Sequence, residues 1–538
     1  MRASDHSVML FSALLLLAHT VAALGEYGRP RPSPDLPLDA FPPNTDCVSS
    51  TTPCGEQVHI ALGGHDEMVV TFLSGSADVD STVEYWGPDK QIVTAHGSAD
   101  AYSQSIFWND WLAHPPMGNA TVSESQILDL MNTSSWAVDP NTGEHTDSWA
   151  EPTQVKWYTF GDYRNPAMYY NSPVVHRVHL KPLAPGVTYQ YRVNGDRRTF
   201  AFTMPPRGGA AAAYPLTFGL LADVGQTAVS RANLERVRAD LAAAHEADGH
   251  AGVVLLGGDL SYADGYGWRW DSFGRMAEPL FSAFPVLTTV GNHETGPEQM
   301  VPYNARYPMP SRSSRSVSNL WWSRDIGPVH VISLCAYADA ASDSLQYAWL
   351  KADLAAVDRA ATPWLVVMTH VPWYSSSSHH FEESELMRRS MEPLLRDAGV
   401  DLVVNGHVHA YERTAAVYDF KRDPCGPVYL VVGDAGNREG AALPYREPRP
   451  VWSEFREGSF GVAQLRFHNA THARYEWRRS ACESSTDPGH ITFNATCESI
   501  AGGHIDNSNF SHVTSDATWL VRRDATTAAR CAARSPKA

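Results

Sequence analysis

Cysteine is scarce: seven residues among 538, at positions 47, 54, 335, 425, 482, 497 and 531, exclude a scaffold held up mainly by disulfides. They fit a few staples in an oxidising compartment, with Cys47–Cys54 and Cys482–Cys497 as plausible local pairs. The odd count leaves at least one thiol free or intermolecular. Positive charge is also short, since 42 Lys and Arg against 59 Asp and Glu give a net charge of −17. That balance argues against a nucleic-acid binder held by phosphate contacts. No stretch reaches the roughly 18 apolar residues of a membrane-spanning helix, and no long run of like charge occurs. What remains is an ordinary globular composition, 43% hydrophobic and 19% charged, with ample chain for several domains and a large core.

At the start of the chain, Arg2 precedes an apolar run over 8–18, and the small Ala22 and Ala23 follow it. This pattern predicts a signal peptide over 1–23 and a secreted or lumenal (extracellular or vacuolar) mature chain, with a retained signal anchor as the alternative. Five acceptor sequons support that route and predict N-glycans at Asn119, Asn132, Asn469, Asn494 and Asn509. Oligomeric state is not legible, a homodimer being one option.

A Pro-rich lead-in over 24–56 reads as extended linker. From 57 to 205 the pattern is β, as in Met68-Val-Val-Thr-Phe and Val174-Val-His-Arg-Val-His-Leu, ending in a Pro/Gly turn and a Thr-Tyr-x-Tyr-x-Val strand. This all-β unit is similar to a fibronectin type III sandwich. A Trp- and Asn-rich stretch over 98–165 reads as an inserted loop for packing and glycan display. Over 214–413, short apolar runs (216–221, 252–256, 364–368, 402–404) alternate with helical segments (230–244, 344–356). That rhythm predicts a layered α/β domain with a central sheet. Residues 414–480 complete it with further β segments, and 481–538 form a polar tail without clear pattern.

Five polar islands close this domain's apolar runs. They are Ala222-Asp223-Val224-Gly225, Gly258-Asp259-Leu260-Ser261-Tyr262, Gly291-Asn292-His293-Glu294, Val367-Met368-Thr369-His370 and Gly406-His407-Val408-His409. Loops leaving the carboxyl ends of strands converge at one sheet edge, so the islands are expected to meet. Singly, each has an ordinary reading: Asp223 a turn cap, Asn292 a turn residue, His370 a hydrogen-bonded strand end. Together Asp223, Asp259, Tyr262, Asn292, His370, His407 and His409 supply oxygen and nitrogen donors and no thiolate. That set suits a pair of hard or borderline metal ions, a device for splitting phosphate esters. The negative net charge does not oppose this, because such ions supply local positive charge to small anionic substrates.

The islands resemble those of the purple acid phosphatases within the metallophosphoesterase superfamily. The likeness extends to Ser261-Tyr-Ala-Asp-Gly-Tyr, Arg269-Trp-Asp-Ser-Phe-Gly-Arg, His370-Val-Pro-Trp-Tyr and Gly406-His-Val-His-Ala-Tyr-Glu-Arg. It covers roughly residues 57–479 and, with the β unit in front, points to the long plant- and fungal-type branch. The fold it implies is a layered α/β metallophosphoesterase sandwich behind a fibronectin type III-like domain. One departure is Ala222, where the family usually has Gly, a small change expected to leave ligation intact. The resemblance implies Fe(III) on Asp223, Tyr262, His409 and a bridging Asp259. It places a divalent ion (Zn, Mn or Fe) on Asp259, Asn292, His370 and His407. A phenolate and carboxylates do suit a hard trivalent ion, and imidazoles with an amide oxygen suit a divalent one. Such a pair supplies a metal-bound hydroxide nucleophile, and a trivalent partner shifts its formation toward acid pH.

Around the metals, the resemblance implies substrate binding by Asn292, His293, His379, His380 and Glu383. His293 and His380 are the catalytic candidates, His380 as the acid that protonates the leaving oxygen. The expected protein is therefore a secreted binuclear acid phosphatase acting on small phosphate monoesters. A phytase or phosphodiesterase with the same ligands, an iron-dependent redox activity, and a degenerate binding protein are the alternatives; retention of every ligand argues against the last.

Overall fold

Leu216–Leu221, Val253–Leu256, Trp364–Thr369 and Leu402–Asn405 are strands in which every residue is buried. A strand covered on both faces reads as one continuous apolar run, which is why these four stand out in the sequence. In this computed structural model the described residues are 35–48, 54–76, 79–105, 169–209, 213–249, 251–265, 267–295, 300–380, 383–442, 444–480, 483–487, 490–493 and 513–534. The expected signal peptide, most of the 98–165 insert, the Cys482–Cys497 pair and the sequons at Asn119, Asn132, Asn494 and Asn509 lie outside them.

The front unit contains β1 (Glu56–Leu62), β2 (Met68–Ser74), β3 (Thr82–Trp86), β4 (Val93–His96) and β5 (Ser98–Asp100). It continues with β6 (Ser103–Ser105), β7 (Tyr169–Asn171), β8 (Val174–Leu180), β9 (Thr188–Val193) and β10 (Phe200–Thr203). Two antiparallel sheets, ordered β1-β2-β8-β5 and β10-β9-β3-β4, form the expected all-β sandwich. Val58, Ile60, Phe72, Val83, Val178, Tyr191 and Phe202 fill its interior.

The second unit is the expected layered sandwich, with two sheets rather than the single central sheet that the rhythm of apolar runs alone suggests. The first sheet runs β13 (Val286–Thr288), β12 (Val253–Leu256), β11 (Leu216–Leu221), β22 (Gly461–Phe467), β23 (His472–Arg479), β26 (Val513–Val521). The second runs β14 (Trp322–Ile326), β15 (Val329–Leu334), β16 (Trp364–Thr369), β17 (Leu402–Asn405), β20 (Val428–Val432), β18 (Tyr411–Tyr418), β19 (Lys421–Arg422), with β21 (Ser453–Glu457) also paired to β18. A short hairpin of β24 (Glu483–Asp487) and β25 (His490–Phe493) stands apart. Apolar runs of similar length carry no label saying which pair with which, so two sheets look like one in sequence. Phe218, Leu220, Trp364, Val366, Met368, Val404 and Leu430 join one core between the sheets.

Helices cover the outer faces. α1 (Ala228–Asp248) starts at a capping box between Thr227 and Ser230 and ends at Gly249, in the left-handed conformation with φ 72°. It lies against the first sheet beside α2 (Trp268–Phe281), which also packs on β1 and so joins the two units. After α3 (Asn292–Thr295) and α4 (Val301–Arg306), α5 (Leu345–Ala356) and α6 (Glu385–Asp397) cover the second sheet. There Leu350, Met387, Met391 and Leu395 meet Ile332, Leu365, Val367 and Val403. No described helix is long and apolar enough to cross a membrane.

Two segments differ from their sequence reading. The lead-in, read as extended linker, is docked on the catalytic unit where it is described: Leu36 donates its N–H to Gln226 O at 2.8 Å, and Asp35 pairs with Thr227. The patternless tail supplies β26, antiparallel to β23, and α7 (Ala525–Arg534). Cys47–Cys54 is a disulfide as expected, Cys425–Cys531 is a second, and Cys335 is a buried free thiol.

Candidate metal centre

Five parallel strands of the two sheets end in loops that carry the islands. Asp223 follows β11, Asp259 and Tyr262 follow β12, Asn292 follows β13, His370 follows β16, and His407 and His409 follow β17. These turns are sharp. Asp223, Asp259, Tyr262 and His407 hold φ of 58°, 52°, 51° and 68°, a left-handed region that non-glycine residues leave unless packing holds them. The chains also approach closely: a Cβ on Gly406 would stand 2.4 Å from Asp223 Oδ2, and one on Gly291 would stand 2.0 Å from Asp259 Oδ1. The Cβ of Ala222 finds room against two glycines, Gly257 and Gly406, so the departure from the family pattern is accommodated.

All seven expected donors converge. In one half, Tyr262 Oη lies 3.0 Å from His409 Nε2, 3.2 Å from Asp223 Oδ1 and 3.5 Å from Asp259 Oδ2. His409 Nε2 stands 3.3 Å from Asp223 Oδ1. In the other half, His370 Nε2 lies 3.1 Å from both Asp259 Oδ2 and Asn292 Oδ1, and His407 Nδ1 lies 2.8 Å from Asn292 Oδ1. Asp259 Oδ2 belongs to both halves. Ligands that sit ~2 Å from one ion are ~3 Å from each other, the spacing found here.

The far sides of these groups are already engaged. His370 Nδ1 is 2.8 Å from Gly257 O, His409 Nδ1 is 3.1 Å from Gly440 O, and His407 Nε2 is 2.7 Å from Glu383 Oε2. Each outer nitrogen is thus held by an oxygen acceptor, which turns each inner nitrogen toward the cage. Two carboxylates, an amide oxygen, a phenol and three imidazoles are thus crowded into one buried space. Buried carboxylates need positive charge beside them, and this oxygen and nitrogen donor set fits metal ions that would supply it. Titration behaviour reflects the same demand. Burial and the neighbouring Asp259 push the Asp223 carboxyl well above the usual range. Burial would also raise Asp259, but His370 and His293 hold it low. Burial would lower His370, yet Asp259 and Asp223 carry it to about 9. Tyr262 is pushed up by burial and by both aspartates.

Of the remaining candidates, Glu383 lies between two histidines, 2.7 Å from His380 Nδ1 and 2.7 Å from His407 Nε2. Burial would raise its carboxyl, but those two rings hold it well below the usual range. The His380 ring is 4.0 Å from the His407 ring, and His379 stands further out, 6.3 Å from His380. His293 is fully buried, its ring 3.9 Å from that of Tyr262. Desolvation works against its charge, but Asp264, Asp259 and Glu439 raise it to about 10.

Sequence reasoning missed four contributors. Glu294 accepts the N–H groups of Asp259, Leu260 and Gly291 at 2.8–2.9 Å, tying two ligand loops together. Asp264 binds His293 Nδ1 at 2.6 Å. Both sit inside quoted motifs and could have been found there. Tyr337 donates to Asn292 Oδ1 at 3.3 Å, and Arg438 binds Asp264; neither carries a local signal.

The chain is similar to known proteins along most of its length. Three family models match: the N-terminal domain of purple acid phosphatase at 55–204, the calcineurin-like phosphoesterase at 216–411, and the iron/zinc purple acid phosphatase-like protein C at 426–488. The chain is 35% identical over 498 residues to purple acid phosphatase 18 of Arabidopsis thaliana, covering 91% of this chain and 95% of that one. It is 38% identical to purple acid phosphatase 22 of the same plant, covering 79% and 82%. It is also 38% identical to a phosphoenolpyruvate phosphatase of Allium cepa, covering 64% and 72%. The structure of a purple acid phosphatase from yellow lupin seeds superposes with a TM-score of 0.65 at 21% identity, over 91% of this chain and 78% of that one, a likeness of fold.

Proposed function

The chain belongs to the purple acid phosphatase family, and from that premise we propose that its cage holds two metal ions sharing the Asp259 carboxylate. The protein is a phosphatase hydrolysing phosphate monoesters, and its family implies a binuclear centre. The finer assignment is ours: Fe(III) on Asp223, Tyr262 and His409, and Zn, Mn or Fe(II) on Asn292, His370 and His407. The observation that carries it is the convergence of carboxylate, phenol, amide and imidazole groups around Asp259 Oδ2, with the outer nitrogens of all three imidazoles held by Gly257 O, Glu383 and Gly440 O. When bound, such ions clamp a phosphate ester and lower the pKa of water beside it.

The chain's own groups do the rest. His293 presents Nε2 to the cage while Asp264 fixes Nδ1, which suits it to grip a phosphate oxygen. His380, held by Glu383 at the half-buried rim, is the group we assign to give a proton to the leaving oxygen. His379 and Asn292 complete the substrate-binding set. Two disulfides support passage through an oxidising compartment, in keeping with secretion and with glycosylation at the exposed Asn469.

Elemental analysis and a visible spectrum of the purified enzyme test the assignment. We expect iron plus a divalent metal, and a charge-transfer band that Tyr262→Phe abolishes. His370→Ala is expected to lose the divalent ion first and keep iron. An active enzyme with neither iron nor band overturns the mixed-metal reading, and unchanged divalent content in His370→Ala overturns the split of ligands.

A further inference from the structure

The lead-in ahead of the front sandwich reaches the reaction site through three buried side chains. The Asp35 side chain, 1% exposed, accepts from Arg438 Nη1 at 2.6 Å. Arg438 Nη2 bonds Asp264 Oδ2, and Asp264 Oδ1 lies 2.6 Å from His293 Nδ1. The far nitrogen of that ring, Nε2, lies 3.8 Å from the shared carboxylate oxygen of Asp259 and 3.6 Å from Glu439. Arg269 extends the alternation of charge, with Nε 3.9 Å from Asp35 Oδ2 and Nη1 donating to Leu36 O at 2.7 Å.

The geometry of a guanidinium makes this a rigid connection. Its planar fork spends one terminal nitrogen on each carboxylate, so the angle between Asp35 and Asp264 is fixed, as no lysine could fix it. Asp264 needs such support. It sits at φ 50°, a left-handed position that persists only when its surroundings over-determine it. Asp35 is itself immobilised, because its backbone pairs with Thr227 and that of Leu36 with Gln226, in the loop leaving Asp223. Three active-site loops (after Asp223, after Tyr262 and around Arg438) therefore close on one residue from outside the catalytic unit.

We propose that Asp35 is a positioning residue of the phosphatase reaction: acting through Arg438 and Asp264, it sets the ring of His293 against the substrate phosphate. The proposal rests on the cage being the phosphatase centre. It makes residues ahead of the front sandwich part of the active site, so that a chain lacking the segment through Asp35 would turn over poorly with its metal ligands intact.

The test is a double-mutant cycle on the full-length, metal-loaded enzyme with p-nitrophenyl phosphate. Asp35→Asn keeps the shape and removes the charge. We expect kcat to fall about 10- to 100-fold, the range a misplaced catalytic group costs, with KM within about twofold and metal content unchanged. In a His293→Ala background the same change should alter kcat by less than about twofold, since its effect passes through that ring. Arg438→Lys, which retains charge but reaches one carboxylate, should repeat the pattern and stands in if Asp35→Asn fails to fold. A normal kcat in Asp35→Asn overturns the proposal, as does an equal loss in both backgrounds. If the parent neither binds metal nor turns over, the assignment of the centre falls and this proposal with it; a normal parent with a normal Asp35→Asn removes the relay alone.

Discussion

The amide oxygen of Asn292 is approached by His407 Nδ1 at 2.8 Å, His370 Nε2 at 3.1 Å and the Tyr337 hydroxyl at 3.3 Å. An amide oxygen has two lone pairs. The divalent ion proposed above would use one, and the Tyr337 O–H donates to the other, which keeps the oxygen, rather than the NH2 group, facing the cage. Partners of this kind typically contribute 10- to 100-fold in metal affinity. Tyr337→Phe should therefore weaken divalent binding by roughly tenfold while leaving iron in place, as read by chelator competition. Equal affinity in both proteins would leave Tyr337 as packing only. Tyr337 also marks the limit of the sequence. The seven donors were legible because each ends an apolar run in an unusual polar island. Tyr337 follows β15 amid ordinary residues, and its role exists only because that strand lies beside β16.

Among elements, the β14–β15 hairpin is joined to α5 by one histidine. His330 Nδ1 lies 2.5 Å from Asp325 Oδ1 and Nε2 lies 2.9 Å from Asp353 Oδ2, which also accepts from Ser323 through its other oxygen at 2.6 Å. Burial disfavours the imidazolium, but the two aspartates raise it from 6.5 to about 9. A pKa higher in the folded state means stability fully present below about 6.5 and lost as pH rises through about 9. The amount is roughly 2–4 kcal/mol. Denaturant unfolding at pH 6 and pH 10 should show that extra loss in the parent and not in His330→Gln; parallel losses would contradict it. At this scale the sequence was informative for buried strands and for helices, whose spacing and caps are local. Its apolar rhythm was silent on pairing and suggested one central sheet, and only the family resemblance pointed to a sandwich. The ion triad depends on that pairing, because Asp325 and His330 meet across the hairpin.

For the whole molecule, stability depends on segments that look dispensable in sequence. Arg306, buried at the junction of the two units, donates to Asp271, Tyr170, Gln57 and Tyr102, so the front sandwich is bonded to the catalytic unit through satisfied polar groups. The C-terminal segment acts in the same way. Its strand β26 extends the first sheet, while Asp516 on that strand accepts from Tyr411 Oη at 2.6 Å and Arg413 Nε at 2.7 Å, both on β18 of the second sheet. Arg523 donates to Val400 O and Gly426 O, and Cys531 is tied to Cys425. The segment thus straps the two sheets together. Its polar composition hid this, because an edge strand shows water one face and needs few apolar residues. Asp516→Ala would leave the Arg413 guanidinium and the buried Tyr411 hydroxyl without their shared acceptor. Stranding a largely buried charge costs several kcal/mol, tempered here because Arg413 is 16% exposed. We expect a loss of roughly 2–4 kcal/mol in urea unfolding. A patternless tail would tolerate the change within about 0.5 kcal/mol, and that result would mean the two sheets do not depend on the strap.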